Sequence, residues 1–217
     1  RSVVPYYLLQ IEYRERNYDY VVSEGERLLA VSTKSVRDDL LRIVAESYFV
    51  KGDYVMSLKY INDYPADKHS RQENYIKGYS LYRLGRYREA IAPLRTVCGA
   101  MDGLTQNASY HLAECYLNTG DLQSATSAFS MASTDGFDEE IAENALLNYG
   151  RLKFELDGDV FNESINVLKR YLDKYPTSEH CPEVQTLLIA AYYNSKDHGS
   201  AYAAIKAFPN PDKELRM

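Results

Sequence analysis

The chain has 217 residues, with 25 Lys and Arg against 31 Asp and Glu, a formal net charge of −6 and 45% hydrophobic residues. This is the composition of a soluble globular protein, and the acidic balance without a Lys/Arg-rich run argues against nucleic acid or an anionic membrane as the main partner. No stretch approaches 18 uninterrupted apolar residues, so direct membrane insertion is not expected. The chain starts at Arg1 with neither Met nor a charged-then-apolar leader, which is typical of an excised or processed segment.

One pattern of small, large apolar and glycine residues recurs along the chain. In the clearest copy, Ala45 is followed by Tyr48 three residues later and by Gly52 four residues beyond that. Two more clear copies end in Gly85 and Gly120, so the glycines recur after 33 and then 35 residues. Weaker copies lie upstream at Asn17-Tyr18, and downstream around Gly150, Phe154, Phe161 and Ser164 and around Tyr192, Asp197 and Ala201.

The residues of each copy predict a helical hairpin. Glycine tolerates the left-handed conformation that ends a helix, and Asp53 and Asp121 are then placed to cap the next helix. Small residues such as Gly78 and Ala90 allow two helices to approach closely where they cross. Proline is expected to end second helices at Tyr64-Pro65, Tyr175-Pro176 and Phe208-Pro209. No alternating run that would indicate a strand is present.

These copies resemble the tetratricopeptide repeat family, whose 34-residue unit is a pair of antiparallel helices. The resemblance covers essentially the whole chain, although the Trp that is frequent in the family's first helix is missing, since the chain has no Trp. It implies an all-α fold, a right-handed α-α superhelix of about six antiparallel helix-turn-helix repeats in a single domain. The predicted units are residues 1–34, 36–68, 70–103, 105–135, 138–178 and 181–212.

A second resemblance concerns the segment from Val167 to Ser178, which contains Tyr171 and Tyr175-Pro176, and the apolar segment 187–193 that follows. It is similar to repeats of bacterial envelope scaffolds such as the outer-membrane-assembly lipoprotein and the Tol-Pal accessory protein. The resemblance implies a periplasmic or envelope-associated location. A cytoplasmic location is the alternative.

The family lines its concave side with the first helix of each repeat, which places a set of Tyr and Arg residues in the groove. Tyr supplies rigid apolar area with one hydroxyl, and Arg pairs with carboxylates or stacks on rings, so both suit recognition of a protein or peptide. The alternative for these tyrosines is that they fill space between neighbouring first helices, whereas Tyr48, Tyr116 and Tyr192 are expected in the core. The candidate binding residues are Tyr6, Tyr13, Arg42, Tyr75, Tyr79, Tyr82, Arg83, Tyr110, Asn118, Arg151 and Tyr193.

Family members that bind chaperone tails clamp a terminal carboxylate with Lys and Asn at fixed positions of the first helices. The Lys positions of this chain are occupied by Arg42, Tyr75 and Tyr110, and the Asn positions by Glu46, Tyr79 and Glu114. The clamp is therefore absent, and an acidic C-terminal tail is not the expected ligand.

No sequence motif points to catalysis, and no cofactor is expected. His111 and Cys115 share one helical face, but a metal site needs further ligands at matching spacing. The segment 157–162 resembles a calcium loop only superficially, because it lacks the required Gly and Glu positions. We therefore expect a non-catalytic interaction module or scaffold without a metal. The alternative function is a structural spacer within a longer repeat array, stacking on further repeats or self-associating through open ends such as the apolar run Val3–Leu9.

Overall fold

The computed structural model describes residues 3–134, 136–156 and 163–207. Within these ranges the chain forms twelve α-helices, one short 3₁₀ helix over Ala66–Lys68, and no strand. The helices are α1 Val3–Arg14, α2 Tyr18–Val31, α3 Lys34–Val50, α4 Tyr54–Asp63, α5 Arg71–Arg83, α6 Tyr87–Val97, α7 Gly103–Thr119, α8 Leu122–Ala132, α9 Glu139–Leu156, α10 Glu163–Lys174, α11 Cys181–Asn194 and α12 His198–Ala207. The predicted all-α fold built from helix pairs is confirmed.

Contacts divide the chain into two compact units, Arg1–Ala100 and Met101–Met217, called here the N-terminal and C-terminal units. One consecutive helix pair falls on each of the six predicted repeats. Two first helices begin two residues before the predicted repeat: α3 begins at Lys34 and α7 at Gly103, the latter behind Asp102, whose carboxylate accepts from Thr105 N at 2.8 Å. The organisation as a single repeat domain stays a prediction.

The turns inside the pairs use the residues that the sequence predicts. Gly52, Gly85 and Gly120 have φ of 78°, 72° and 82°, in the left-handed region that glycine tolerates without strain. Asp53 and Asp121 cap the following helices, accepting from Met56 N at 3.0 Å and Ser124 N at 3.1 Å. The predicted turn over 157–162 and the Phe208-Pro209 stop lie outside the described residues.

In the first and the last of the three weaker copies, a residue other than glycine takes the left-handed position of the turn. Arg16 has a φ of 61° between α1 and α2, and Lys196 has a φ of 63° between α11 and α12. Both turns are still closed by a cap, because Asn17 accepts from Tyr20 N and Asp197 accepts from Ser200 N. The repeat signal is weak at the two ends of the chain because the glycine is missing, although the hairpin is present.

Close helix crossings depend on the small residues that the repeat pattern supplies. A Cβ atom added at Gly78 in α5 would lie 2.7 Å from Leu94 Cγ and 3.0 Å from the Leu94 backbone N in α6. Ala45 and Ala113 occupy the same repeat position and are fully buried. The prediction of small residues at the crossings is therefore confirmed at Gly78. None of the described helices has the length and hydrophobicity that crossing a membrane requires.

The tyrosines expected in the core are only partly buried. Tyr48, Tyr116 and Tyr192 are all half-buried. Tyr48 stacks on Tyr60 with ring centroids 5.7 Å apart, and the two hydroxyls donate to one oxygen of Glu26 at 2.8 and 2.7 Å. The bonds to Glu26 satisfy both hydroxyls, and Tyr60 is only 7% exposed whereas Tyr48 is half-buried.

One tyrosine is fully buried, and it lies elsewhere in the repeat. Tyr171 in α10 packs among Leu146, Leu168 and Val184 of the C-terminal unit. Its hydroxyl lies 2.9 Å from a Glu143 carboxylate oxygen and 2.8 Å from Ser178 Oγ. These two partners satisfy the hydroxyl, so the ring can be buried without an unpaired polar atom.

The crossing at Gly78 generates a stability prediction. Gly78→Ala should lower the free energy of unfolding by about 1–3 kcal/mol, because the backbone of α6 cannot retreat as a side chain could. Urea unfolding followed by circular dichroism measures the change. Gly199→Ala is the matched control, since its Cβ would meet only Asp197 Oδ1 at 3.7 Å, and the better helix propensity of alanine should leave stability unchanged or raised by up to about 1 kcal/mol. Equal effects of the two substitutions would contradict the close crossing.

The Glu26 network generates a pH prediction. Hydrogen bonds from Tyr60 and Tyr48 lower the pKa of Glu26 below its ordinary value. Because the folded-state pKa is lowered, this stabilisation is complete above the unfolded-state pKa of about 4.3 and is lost as the pH falls through the folded-state value. Glu26→Gln should therefore cost about 1 kcal/mol at pH 7 and progressively less below about pH 4.

Urea unfolding at a series of pH values measures this difference. Glu24→Gln serves as the control, since it removes a largely exposed pair with Arg27, which is expected to contribute little. A stability difference between wild type and Glu26→Gln that stayed constant from pH 7 to pH 3 would show that the charge of Glu26 is not what the two tyrosines stabilise.

Candidate functional site

Aromatic side chains of the N-terminal unit form a continuous group, which Tyr87 extends through its contact with Tyr82. Five of them are called here the aromatic cluster: Phe49, Tyr54, Tyr75, Tyr79 and Tyr82. Phe49 lies at its centre and meets the edges or faces of three rings at centroid distances of 5.5 to 6.1 Å. Edge-to-face contacts at these distances are favourable for aromatic pairs. The cluster joins the end of α3, the start of α4 and the length of α5.

All five cluster residues are half-buried, so each ring keeps one part in contact with protein and one part in contact with solvent. Tyr75 is covered enough that burial raises the pKa of its hydroxyl. The rings are thus held by their neighbours before any ligand arrives, which lowers the entropy lost on binding.

Arg83 ends α5 and lies over this cluster. Its Nη1 donates to the hydroxyls of Tyr54 at 3.2 Å and Tyr79 at 3.1 Å, and its guanidinium carbon lies 4.8 Å from the Tyr54 ring centroid. These contacts hold the guanidinium in one orientation although the side chain is exposed. The phenol groups raise the pKa of Arg83 further above its ordinary value, so the cation is permanent.

The structure brings together four of the predicted binding residues: Tyr75, Tyr79, Tyr82 and Arg83. Tyr54 is not among the predicted binding residues because it is the first residue of a second helix, whereas the family's groove is lined by first helices. The sequence does contain a pattern that could have indicated Tyr54. An aromatic residue starts the second helix at Tyr18, Tyr54 and Tyr87, and each contacts an aromatic residue of the preceding first helix.

Tyr6 and Arg42 belong to a separate polar network in the same unit. The Tyr6 hydroxyl donates to Asp39 Oδ2 at 2.7 Å, and Arg42 Nη2 donates to Asp39 Oδ1 at 2.8 Å. A second carboxylate, that of Glu46, lies 3.8 Å from Arg42 Nη1. Arg42 is therefore already neutralised by the chain itself, and burial with the Asp39 hydrogen bond raises the pKa of Tyr6 to about 12.

Tyr13 contacts the ring of Tyr18 at 6.4 Å, and burial together with Glu46 raises the pKa of its hydroxyl. Near this network a cavity of about 590 Å³ is lined by charged side chains and one tyrosine: Lys34, Asp38, Asp39, Arg42, Tyr64 and Lys68. Its lining includes ion pairs that are already complete, such as Lys68 with Asp38 at 2.6 Å. The binding roles predicted for Tyr6, Tyr13 and Arg42 stay predictions.

The predicted binding residues of the C-terminal unit do not form one cluster. Arg151 is paired side-on with Glu183, with Nε and Nη2 each 2.6 Å from a carboxylate oxygen. Tyr110 packs edge-on against Phe129, and Asn118 donates to the Glu114 backbone oxygen. Tyr193 is exposed beside His198. Among the described residues no ring contact, hydrogen bond or ion pair joins any two of Tyr110, Asn118, Arg151 and Tyr193.

His111 and Cys115, the two side chains considered as metal ligands, do not form a metal site. His111 Nδ1 lies 3.1 Å from Glu114, while Cys115 is buried and burial raises the pKa of its thiol to about 12. A thiol in that state is protonated at neutral pH and is a poor ligand. Across residues 3–134, 136–156 and 163–207, no three side chains of His, Cys, Asp or Glu lie together as a metal site would require.

Two family profiles match separate parts of the chain. Residues 15–97 match a family described as anaphase-promoting complex, cyclosome, subunit 3, and residues 140–212 match one described as outer membrane lipoprotein. Among solved structures, YrrB, described as a TPR protein with an unusual peptide-binding site, has a TM-score of 0.63 at 14% identity, over 89% of this chain and 92% of that one. The chain has the tetratricopeptide repeat fold.

Two further structures of this repeat fold are similar. MamA MSR-1 C2 has a TM-score of 0.56 at 18% identity, covering 79% of this chain and 94% of its own. MamA 41-end from Desulfovibrio magneticus RS-1 has a TM-score of 0.51 at 20% identity, covering 78% and 92%. No protein of curated function matches the sequence. Identities this low establish the tetratricopeptide fold alone, so the ligand has to be argued from the residues of this chain.

Proposed function

We propose that the chain is a non-catalytic protein-interaction module that binds a peptide or partner helix in a Tyr/Arg-lined groove, with the aromatic cluster and Arg83 as the main contact surface. The observation that carries this proposal is the orientation of Arg83 over Tyr54 and Tyr79 at a half-exposed aromatic surface. Tyr and Arg are enriched in the few interface residues that supply most of the binding free energy.

The proposal is also supported by the lack of a carboxylate partner for Arg83 among the described residues. Arg42 and Arg151, two other arginines of first helices, each meet a carboxylate, that of Asp39 and that of Glu183. Within the described part of the chain no carboxylate lies within 4.0 Å of Arg83. Its charge is therefore left for solvent or for a ligand.

The similarity to YrrB supports a peptide as the class of partner. The description of YrrB assigns a peptide-binding site to that tetratricopeptide protein, and the present chain shares its fold. An envelope location is proposed on the match of residues 140–212 to the outer membrane lipoprotein family, the same part of the chain in which the envelope-type segment 167–178 occurs. The cytoplasm is the alternative location.

A second candidate function, a spacer that stacks on further repeats or on itself, is favoured by α1. This helix exposes an apolar face, with Val4, Tyr7 and Ile11 more than half exposed. By the repeat alignment, these residues occupy the positions of Leu40, Ile43 and Ser47 in α3, all of which are buried. An apolar face of this kind would be covered by a neighbouring repeat in a longer array.

Site-specific photo-crosslinking distinguishes the two functions. A benzoylphenylalanine residue at position 82 should crosslink to a discrete protein in an extract of the source cells, and the crosslink should disappear when Tyr79→Ala and Arg83→Glu are added. The matched control pair is Tyr202→Ala with Lys206→Glu in α12, where an exposed lysine also lies over a tyrosine ring, at 5.5 Å. These control substitutions should leave the crosslink intact.

Circular dichroism melting first establishes that both double variants stay folded. A crosslink that survives Tyr79→Ala with Arg83→Glu would contradict the proposed groove. A crosslink that forms from a photoreactive residue at Tyr7 but not from position 82 would favour the spacer.

A further inference from the structure

We infer that the segment bound at the aromatic cluster carries an internal Asp or Glu, whose carboxylate is held side-on by Nε and Nη2 of Arg83. This inference rests on the proposed function and specifies the chemistry of its ligand. It differs from recognition of a chain terminus, for which the clamp residues are absent from this sequence.

The nitrogen atoms of the Arg83 guanidinium differ in whether the protein provides an acceptor for them. Both hydrogen bonds of Arg83 to the protein come from Nη1, which donates to the hydroxyls of Tyr54 and Tyr79. No described residue provides an acceptor for Nε or Nη2. These two atoms form the side edge of the guanidinium, which matches the two oxygens of a carboxylate in a bidentate pair.

A complete side-on pair between an arginine and a carboxylate occurs elsewhere in the chain. Arg151 presents Nε and Nη2 to the two oxygens of Glu183, each at 2.6 Å, while its Nη1 donates to Asn148 Oδ1. Arg83 Nη1 is likewise bound, to the Tyr54 and Tyr79 hydroxyls, and no carboxylate of the described residues meets its side edge. Arg86, three residues later, is also satisfied, by Glu89.

The net charge of the N-terminal unit also favours an acidic partner. Residues 1–100 contain 16 Lys and Arg and 13 Asp and Glu, whereas residues 101–217 contain 9 and 18. The unit that holds Arg83 is therefore the basic one, within a chain that is acidic as a whole. An acidic segment is attracted to this unit, and complementary charge favours such a partner over a basic one.

Aromatic rings adjoin the Arg83 guanidinium, where the ligand's carboxylate would bind. The Arg83 guanidinium lies over the Tyr54 ring, and the half-exposed rings of Phe49 and Tyr79 adjoin it. A ligand residue next to the acidic one would contact these rings, so an apolar or aromatic neighbour is expected. Burial of that neighbour would exclude water from the ion pair and strengthen it.

The test uses a random peptide library displayed on phage and selected on the purified full chain. Wild type should enrich peptides in which Asp or Glu stands at a fixed spacing from an apolar residue. In a synthetic form of the best peptide, replacing the acidic residue by its amide should weaken binding about 10- to 100-fold, as measured by isothermal titration calorimetry.

Variants of Arg83 and its neighbours assign this loss to the side-on pair. Arg83→Gln should weaken binding of the acidic peptide by a similar factor and should no longer distinguish the acid from the amide. Arg86→Gln removes the same charge from a nearby arginine outside the cluster and should preserve the discrimination. Tyr54→Phe with Tyr79→Phe removes the Nη1 acceptors and should weaken binding of the acidic peptide more than that of the amide.

The outcomes separate this inference from the proposed function. Enrichment of apolar peptides without an acidic residue, or equal acid preference in wild type and Arg83→Gln, would overturn the inference and leave a peptide groove standing. If Arg86→Gln lost the preference for the acidic peptide over its amide as fully as Arg83→Gln, the preference would come from general charge attraction. The side-on pair would then be contradicted. If wild type enriched no peptide at all, the proposed function would fail and this inference with it.

Discussion

Close approach of the two helices within a repeat is the constraint on which the rest of this structure depends. At Gly78 the absence of a side chain lets α5 lie against the backbone of α6. Tyr79, the residue after Gly78, contacts the rings of Phe49 and Tyr54, which belong to the preceding repeat. The repeat thus separates a face of small residues, which packs, from a face of large amphipathic residues, which is left partly in solvent.

The ability of that second face to bind a charged ligand depends on which of its arginines already pair with a carboxylate of the chain. Arg42, Arg83 and Arg151 all lie on first helices, and the sequence pattern treats them alike. Asp39 neutralises the first and Glu183 the third, whereas the partners of Arg83 among the described residues are the phenol groups of Tyr54 and Tyr79. A buried or satisfied arginine contributes to the fold, while one that is oriented but unsatisfied is available for recognition.

Much of the fold follows from the sequence because its signals are local. A left-handed glycine, an Asp cap and a small residue at the crossing each act within a few residues, so the hairpins around Gly52, Gly85 and Gly120 could be predicted. The outer hairpins gave weaker signals because Arg16 and Lys196 take the left-handed position.

The candidate site was less predictable because it depends on contacts between distant residues. The pairing of Arg151 with Glu183 spans 32 positions, and the contact of Arg83 with Tyr54 spans 29. Helical spacing could place Tyr75, Tyr79 and Arg83 on one face, but it could not show which arginine lacked a carboxylate. The hydrogen bond of Tyr48 could not be predicted for the same reason, since its acceptor, Glu26, belongs to the preceding repeat.

The central claim is that Arg83 offers an open side edge at a preorganised aromatic surface, and the Nε–H resonances of the arginines report on it most directly. In ¹⁵N-edited NMR of the full chain, addition of an acidic peptide that binds should shift the Arg83 Nε–H strongly and slow its exchange with water. The Nε–H of Arg151, already bound to Glu183, should stay where it is. An Arg83 signal that does not move while the peptide binds, or a shift confined to Arg42 or Arg151, would contradict the account.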